Sequence, residues 1–134
     1  MVELSGRAGE IEGMGYRIVA LSPDRPEKIA EMRERISVSV PIYSDSDVEA
    51  ASAFGVAFRV DEEGLERLKG FGIDLEDASG KDHHILPVPS VFIVDGEGRV
   101  RFEYVQPDYR YRIDPDLLVA AAQISLRKPE IKRL

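Results

Sequence analysis

The sequence predicts an α/β fold in one domain, with a sheet that mixes parallel and antiparallel strands. A short continuous apolar run at residues 17–21 precedes a helix-like segment. An apolar strand at residues 90–94 turns through Asp95–Gly98 into an alternating strand, and Asp114–Pro115 opens a last apolar helix. Continuous apolar runs are typical of strands covered on both faces, whereas alternation is typical of a strand with one wet face. A parallel unit followed by a hairpin and a closing helix gives a mixed sheet.

The first half of the chain alternates helix and strand signals. Residues 3–13 have near-helical apolar spacing weakened by glycines, and we interpret them as the back part of a helix. Asp24 is expected to cap the next helix, with Glu27 completing a capping box. Residues 40–44 predict a short strand, and Pro41 favours an edge position for it.

Two further helices are predicted before the strand at residues 90–94. Ser46 and Glu49 form a second capping box, and a third helix covers about residues 62–70. An extended segment at residues 56–60 separates these two helices. We interpret residues 73–87 as an irregular polar loop.

Composition and charge exclude several classes of function. A length of 134 residues fits one domain, predicted over residues 1–126 with a basic, solvated tail at residues 127–134. A net charge of −7 argues against a nucleic-acid partner. No apolar run approaches the ~20 residues of a membrane span, and the charged amino terminus does not resemble a secretory signal, so we expect a cytoplasmic protein. Because the chain has no cysteine, it has no thiol nucleophile, disulfide or thiolate metal site.

Four stretches carry a resemblance that covers about residues 4–122. They are "GYRIVALSPDRPEKI", "SDSDVEAASAFGVAFRV", "GIDLEDASGKDHHILPVPSVFIVDGEGRVRF" and "YVQPDYRYRI". In order and spacing they resemble the peroxiredoxin-like branch of the AhpC/TSA (alkyl hydroperoxide reductase and thiol-specific antioxidant) family. That resemblance implies a thioredoxin-like, three-layer α/β/α fold and an antioxidant redoxin function, in which a helix-start thiolate attacks peroxide.

The same resemblance implies where the chain departs from the family. The family's extra strand and cysteine motif would precede Met1, and its cis-proline beside the sulfur matches Pro89. Val88, Pro89 and Ser90 are therefore the expected remnant of a redox site, either as a turn-setting element or as a groove that binds a peptide or thiol. We expect an N-terminally truncated or degenerate member that is catalytically inactive, because peroxide reduction by the family mechanism needs a thiolate.

The implied missing strand would be central, between residues 17–22 and residues 90–94. Three outcomes are open: these strands close directly onto each other, a second chain donates a strand, or the natural protein is longer. We expect both strands in one sheet, and finding them in different sheets would contradict this topology. An alternative function follows, that of a non-catalytic interaction module that forms a homodimer or binds a partner's strand by β-augmentation.

His83 and His84 form the only other candidate site. Adjacent histidines on a loop point in different directions, so we weigh a metal site, a pH-sensitive or substrate-facing loop, and a solvated loop, and expect no metal. No cofactor is predicted, because the glycines form no nucleotide-binding motif. The sequence contains no Gly-x-Ser-x-Gly elbow, the motif that would indicate a hydrolase.

Overall fold

A computed structural model describes residues 6–127. The helices are α1 Ala8–Gly13, α2 Pro26–Arg35, α3 Glu49–Ala53, α4 Glu62–Gly70, α5 Leu75–Ser79 and α6 Pro115–Ser125. The strands are β1 Ala20–Ser22, β2 Ile42–Ser44, β3 Ala57–Arg59, β4 Ile85–Pro87, β5 Ser90–Val94 and β6 Val100–Val105. The element order agrees with the α/β fold predicted from the sequence.

The strands form three separate pairs rather than one mixed sheet. β1 pairs in parallel with β2, while β3 with β4 and β5 with β6 are antiparallel. Residues 17–22 and 90–94 therefore lie in different sheets within the described chain, and the expectation of a single sheet is wrong. Direct closure of the two strands onto each other is likewise excluded. The strand predicted at residues 17–21 begins only at Ala20, because only its carboxyl-terminal part has a neighbouring strand.

The hydrophobic core lies between β5 and the helices α1 and α6. Its buried side chains are Ile11, Ile93, Leu118, Val119, Ala121 and Ala122. Val91 and Phe102 pack against this cluster from β5 and β6. On the opposite face of β5, the ring of Phe92 contacts that of Phe54 with 4.6 Å between centroids. The β5–β6 pair therefore carries packing on both faces.

Two predicted helix caps are wrong. Arg25, not Asp24, is the N-cap of α2, and it makes no side-chain capping bond. At α3 the Asp45 carboxylate accepts the backbone amides of Ala50 and Ala51, at 3.0 Å each, in place of the Ser46–Glu49 box. Val48 precedes α3 in the left-handed region at φ 51°, a conformation that costs a β-branched residue roughly 1–2 kcal/mol. Its side chain is buried, which offsets that strain.

The segment predicted as an irregular loop contains α5 and β4. Asp74 accepts the amides of Glu76 and Asp77 and so caps α5, and Gly80 ends it at φ 72°. Arg25 and Lys28 from α2 both reach the Asp77 carboxylate, at 3.4 and 3.0 Å. β4 then pairs with β3, so the segment is fixed by contacts with residues distant in sequence.

Local chemistry predicted the remaining elements correctly. Asp61 caps α4 by accepting the Gly64 amide, and Asp114 caps α6 by accepting the Asp116 amide. The Asp95–Gly98 hairpin forms as expected, with Gly98 at φ 82°. A register shift lies between Ile93 and Val94, where β6 has one extra residue. Within the described chain no helix is both long and apolar enough to span a membrane. The tail predicted at residues 127–134 lies outside the described residues from residue 128 onward.

Candidate functional site

The expected redox-site remnant is a junction between two antiparallel pairs. The Val88 amide donates to the Val56 carbonyl at 2.8 Å, which extends the β3–β4 ladder. The Gln106 amide donates to the Pro89 carbonyl at 3.0 Å, which extends the β5–β6 ladder. Pro89 suits this corner because its carbonyl is used while no amide is required of it.

The peptide before Pro89 is trans, as are the other described peptide bonds. The cis isomer that the resemblance implies for the family's proline is therefore not adopted at Pro89. The Ser90 hydroxyl donates to the Val88 carbonyl at 2.7 Å, so its proton is held by backbone rather than by a base. Neither histidine contacts it, because both rings have other partners. These hydrogen bonds and the trans peptide support a structural role for Val88, Pro89 and Ser90.

A groove of about 240 Å³ separates the segment before β1 from β5. Its walls are Tyr16–Val19 on one side and Phe92–Val94 on the other. Ile11, Leu118 and Ala122 form its floor. These floor residues belong to the core between α1 and α6, so the groove is apolar at its base. It lies where the sequence places a strand missing between residues 17–22 and 90–94.

The strand register shows which backbone groups face the groove. Ala20 donates to the Pro41 carbonyl and the Ser22 carbonyl accepts from Asp45, so these residues point toward β2. Backbone groups alternate in direction along a strand, so those of Val19 point the other way. The Val19 backbone takes part in no backbone–backbone hydrogen bond within residues 6–127.

The same alternation applies on the β5 side. The Gln106-to-Pro89 bond sets the antiparallel pattern, in which residues 91 and 93 bond to β6. The N–H and C=O groups of Ser90, Phe92 and Val94 therefore point away from β6, toward the groove. Backbone groups of Val19 on one side of the groove, and of Phe92 and Val94 on the other, thus point away from their paired strands. The side chains of Val19 and Val94 at its rim are 46% and 42% exposed.

Tyr16 holds one end of this groove in place. Its hydroxyl donates to the Ala122 carbonyl of α6 at 2.8 Å. Burial raises the pKa of the Tyr16 phenol, and the nearby positive charge of Arg101 lowers it in part. The phenol therefore stays protonated and available as a donor at neutral pH.

A model of the AhpC/TSA family matches residues 1–103 of the sequence, which is more than half of the chain. The chain belongs to the AhpC/TSA family. The match covers both walls of the groove and the Val88–Ser90 junction.

Two curated mycobacterial proteins are similar to part of this AhpC/TSA member. Each is named "Putative peroxiredoxin", one from Mycobacterium tuberculosis strain CDC 1551 / Oshkosh and the other from strain ATCC 25618 / H37Rv. Each is 38% identical over 47 residues, which is 35% of this chain and 30% of the relative. The matched segment thus spans under a third of the curated relatives' length.

The two histidines of this AhpC/TSA chain have separate partners. The His83 Nδ1 accepts the Ile85 amide at 3.0 Å, so its Nε2 carries the proton and donates to the Ser46 carbonyl at 2.7 Å. His84 has φ 56°, and its Nε2 lies 3.3 Å from the Glu76 carboxylate. Within residues 6–127 no group of three or more histidine, aspartate or glutamate side chains is placed to hold a metal ion.

Asp24 is a half-buried carboxyl that sequence reasoning treated only as a cap. Burial raises its pKa, while a bond with Ser22 and the charge of Lys28 lower it in part. It lines a cavity of about 10 Å³ with His83 and His84. That volume is room for roughly one water molecule, so the cavity is too small for a substrate. Tyr16 was not predicted from the sequence to have a role at this site. Its position immediately before an apolar run is the sequence signal that could have identified it.

Proposed function

We propose that this chain is the scaffold of a peroxiredoxin-like redoxin and has no peroxidase turnover of its own. The observation that carries the proposal is an AhpC/TSA sequence without a single cysteine. Peroxide reduction in a thiol-dependent enzyme transfers an electrophilic oxygen to a thiolate, which becomes a sulfenic acid. No side chain of this chain offers that sulfur nucleophile. The Ser90 hydroxyl, bonded to a carbonyl, is not a substitute for it.

We further propose a thioredoxin-like, three-layer arrangement in which a strand filling the groove would join the separate β1–β2 and β5–β6 pairs into one sheet. The apolar groove between them supports this arrangement, since its walls are the segment leading into β1 and the strand β5, which would share a neighbour. Helices α1 and α6 would form one outer layer, because they already pack on one face of β5. The contact between Phe54 and Phe92 supports a second layer on the other face. A cytoplasmic location and the division into one domain with a basic tail stay predictions.

A peroxide-consumption assay tests the proposed inactivity. Purified chain is mixed with hydrogen peroxide and dithiothreitol, and peroxide loss is compared with that in a protein-free blank. The expected rates are equal. A parallel sample treated with iodoacetamide identifies contamination, because alkylation cannot alter a chain without cysteine. Thiol-dependent turnover that survives alkylation would refute the proposal.

We also propose, as a second candidate, a non-catalytic module that accepts a strand. The specific observation in its favour is that backbone groups of Val19 on one side of the groove, and of Phe92 and Val94 on the other, point away from their paired strands. Exposed strand edges with free donors and acceptors pair readily with an added strand. A homodimer or a partner chain would supply that strand. Alternatively, the strand-accepting role belongs to a longer form of the protein or to a degenerate member of the family.

A further inference from the structure

We propose that helix α6 pairs with α6 of a second copy of this chain, the two helices running antiparallel about a two-fold axis at Ala120. This inference goes beyond both proposed functions and does not involve the groove. α6 turns Leu118 and Ala122 toward the core, where both are buried. A different side of the helix carries Leu117 and Ile124, which are 47% and 55% exposed. Large apolar side chains exposed together on one side of a helix form a candidate contact surface.

Leu117, Ala120 and Ile124 form one stripe along α6. Their spacing of three and then four residues is that of a coiled-coil seam, because residues three and four apart lie on the same side of a helix. Ala120 has only a methyl group, so it allows a second helix to approach closely between the two larger side chains. In an antiparallel pair centred on Ala120, Leu117 of each copy packs beside Ile124 of the other. The stripe is therefore complementary to itself.

Charges at the two ends of α6 favour the same arrangement. Asp116 and Arg127 are eleven residues apart, which is about three helical turns, so they lie on the same side of the stripe. The Arg127 amide donates to the Ile124 carbonyl, so the chain keeps a helical path up to that point. A two-fold axis across the helices brings Asp116 of one copy within about 3 Å of Arg127 of the other along the helix axis.

Both charged side chains are available for such a contact. The Asp116 side chain contacts Arg7 and is still 84% exposed. Arg127 is exposed, and no ion pair within residues 6–127 engages its side chain. A parallel pair of helices would instead place like charges opposite each other at both ends, which is unfavourable. The charges therefore favour the antiparallel orientation.

The size of this surface sets the strength of the contact. α6 has 11 residues and is about 16 Å long, so its stripe is smaller than the roughly 800 Å² per partner of a standard stable interface. We therefore expect a weak dimer that dissociates on dilution. A second copy is favoured over an unrelated helix because one two-fold operation satisfies the apolar contacts and the charges at both ends.

Sedimentation equilibrium of the full chain over a range of concentrations tests the dimer. The average mass should rise from that of a monomer toward that of a dimer as the concentration increases. Leu117→Ser and Ile124→Ser should each raise the dissociation constant about tenfold, because each removes apolar surface that pairing buries. Leu126→Ser is the matched control and should leave the constant unchanged, since Leu126 is 57% exposed but lies on another side of the helix.

Disulfide cross-linking tests the orientation of the helices. Because the chain has no cysteine, a single introduced cysteine reports on one position. Ala120→Cys should form disulfide-linked dimers on oxidation, since residues near the two-fold axis come within the roughly 6 Å between Cα atoms that a disulfide spans. Leu117→Cys and Ile124→Cys should cross-link poorly alone and well when mixed. Glu66→Cys, on the exposed side of α4, is the control for chance collisions.

The remaining outcomes overturn the proposal. A chain that stays monomeric at every concentration does so, as does an Ala120→Cys variant that cross-links no faster than Glu66→Cys. Efficient cross-linking of Leu117→Cys to itself would identify a parallel pair and reject the antiparallel geometry. A dimer that survives Leu117→Ser, or that Leu126→Ser weakens equally, belongs to another surface. None of these results bears on the peroxide assay or on the groove.

Discussion

The hydroxyl of Tyr16 donates to the carbonyl of Ala122 across 106 positions of the chain. This bond joins the segment before β1 to helix α6 and fixes one wall of the groove to its floor. The β1–β2 pair and the β5–β6 pair share no strand within the described residues. The position of the wall therefore depends on side-chain contacts of this kind rather than on a continuous backbone ladder.

Tyr16→Phe should lower the free energy of unfolding by about 1 kcal/mol at pH 7, because it removes one hydrogen bond and leaves the ring in place. Tyr109→Phe is the matched control, since its ring is 68% exposed, and should change little. Urea denaturation measures both. Equal effects of the two variants would show that the Tyr16 bond contributes nothing specific.

The Tyr16 variant also has a pH signature. Burial raises the phenol's pKa in the folded chain, so the unfolded chain ionises first as the pH rises above about 10. The contribution of Tyr16 is therefore fully present below the unfolded pKa and is lost as the pH rises through the folded pKa. The stability gap between wild type and Tyr16→Phe should narrow as the pH rises above about 10. A gap that stays constant or widens contradicts the assignment.

Asp45 should be essential to the start of α3. Asp45→Ala removes the acceptor of two helix amides and should cost about 1 kcal/mol, the usual effect of losing an N-terminal cap. Asp45→Asn keeps one side-chain oxygen and should lose less. Asp47→Ala, which removes an exposed ion pair with Lys81, serves as the control and should stay within about 0.5 kcal/mol of wild type in thermal denaturation. A cost at Asp47 as large as that at Asp45 would rule out the capping role.

His83 connects the loop before α3 to the start of β4. His83→Ala removes both of its ring bonds and should destabilise the chain by about 1–2 kcal/mol in urea denaturation. His83→Asn keeps an acceptor within reach of the Ile85 amide and should recover part of that loss. If asparagine is no better than alanine, the bond to Ile85 is not what stabilises this segment.

The hairpin carboxylate gives a prediction at acid pH. The Arg99 amide, followed by that of Glu97, holds the pKa of Asp95 below its usual value of 3.8. A lowered pKa stabilises the fold above the unfolded pKa, and this stability is lost as the pH falls through the folded pKa. Wild type should therefore melt at a higher temperature than Asp95→Asn at pH 7, with the two values converging below about pH 4. A difference that is constant with pH would exclude a charge effect.

Short-range signals predicted the elements whose stabilising contacts are local. The Asp114 cap and the Asp95–Gly98 turn depend on residues within four positions, and the sequence displays them directly. The cap of α3 was missed because the Asp45 carboxylate, one residue before Ser46, accepts the amides of Ala50 and Ala51. Sequence spacing alone does not rank two adjacent capping side chains.

Long-range contacts account for the larger errors. α5 has only five residues, too few to show a helical period. The side chains that bind its Asp77, those of Arg25 and Lys28, lie about fifty positions earlier in the chain. β4 exists only through its pairing with β3. The missing neighbour between residues 17–22 and 90–94 stays a prediction, because it was inferred from the strand order alone. The peptide before Pro89 is trans, whereas the resemblance implied a cis proline for the family, and the turn-setting alternative for residues 88–90 stays a prediction.

The extra residue in β6 has a consequence for behaviour in concentrated solution. It is Arg101, opposite the step from Ile93 to Val94, and a bulge there twists the strand locally. Arg99, just before β6, and Glu103 within it add further charge. Twist and charge together oppose flat stacking of copies, which is how exposed strands nucleate fibrils. The twist and charge of β6 thus oppose amyloid-like growth at its edge. Deleting Arg101 should make the chain precipitate at lower concentration.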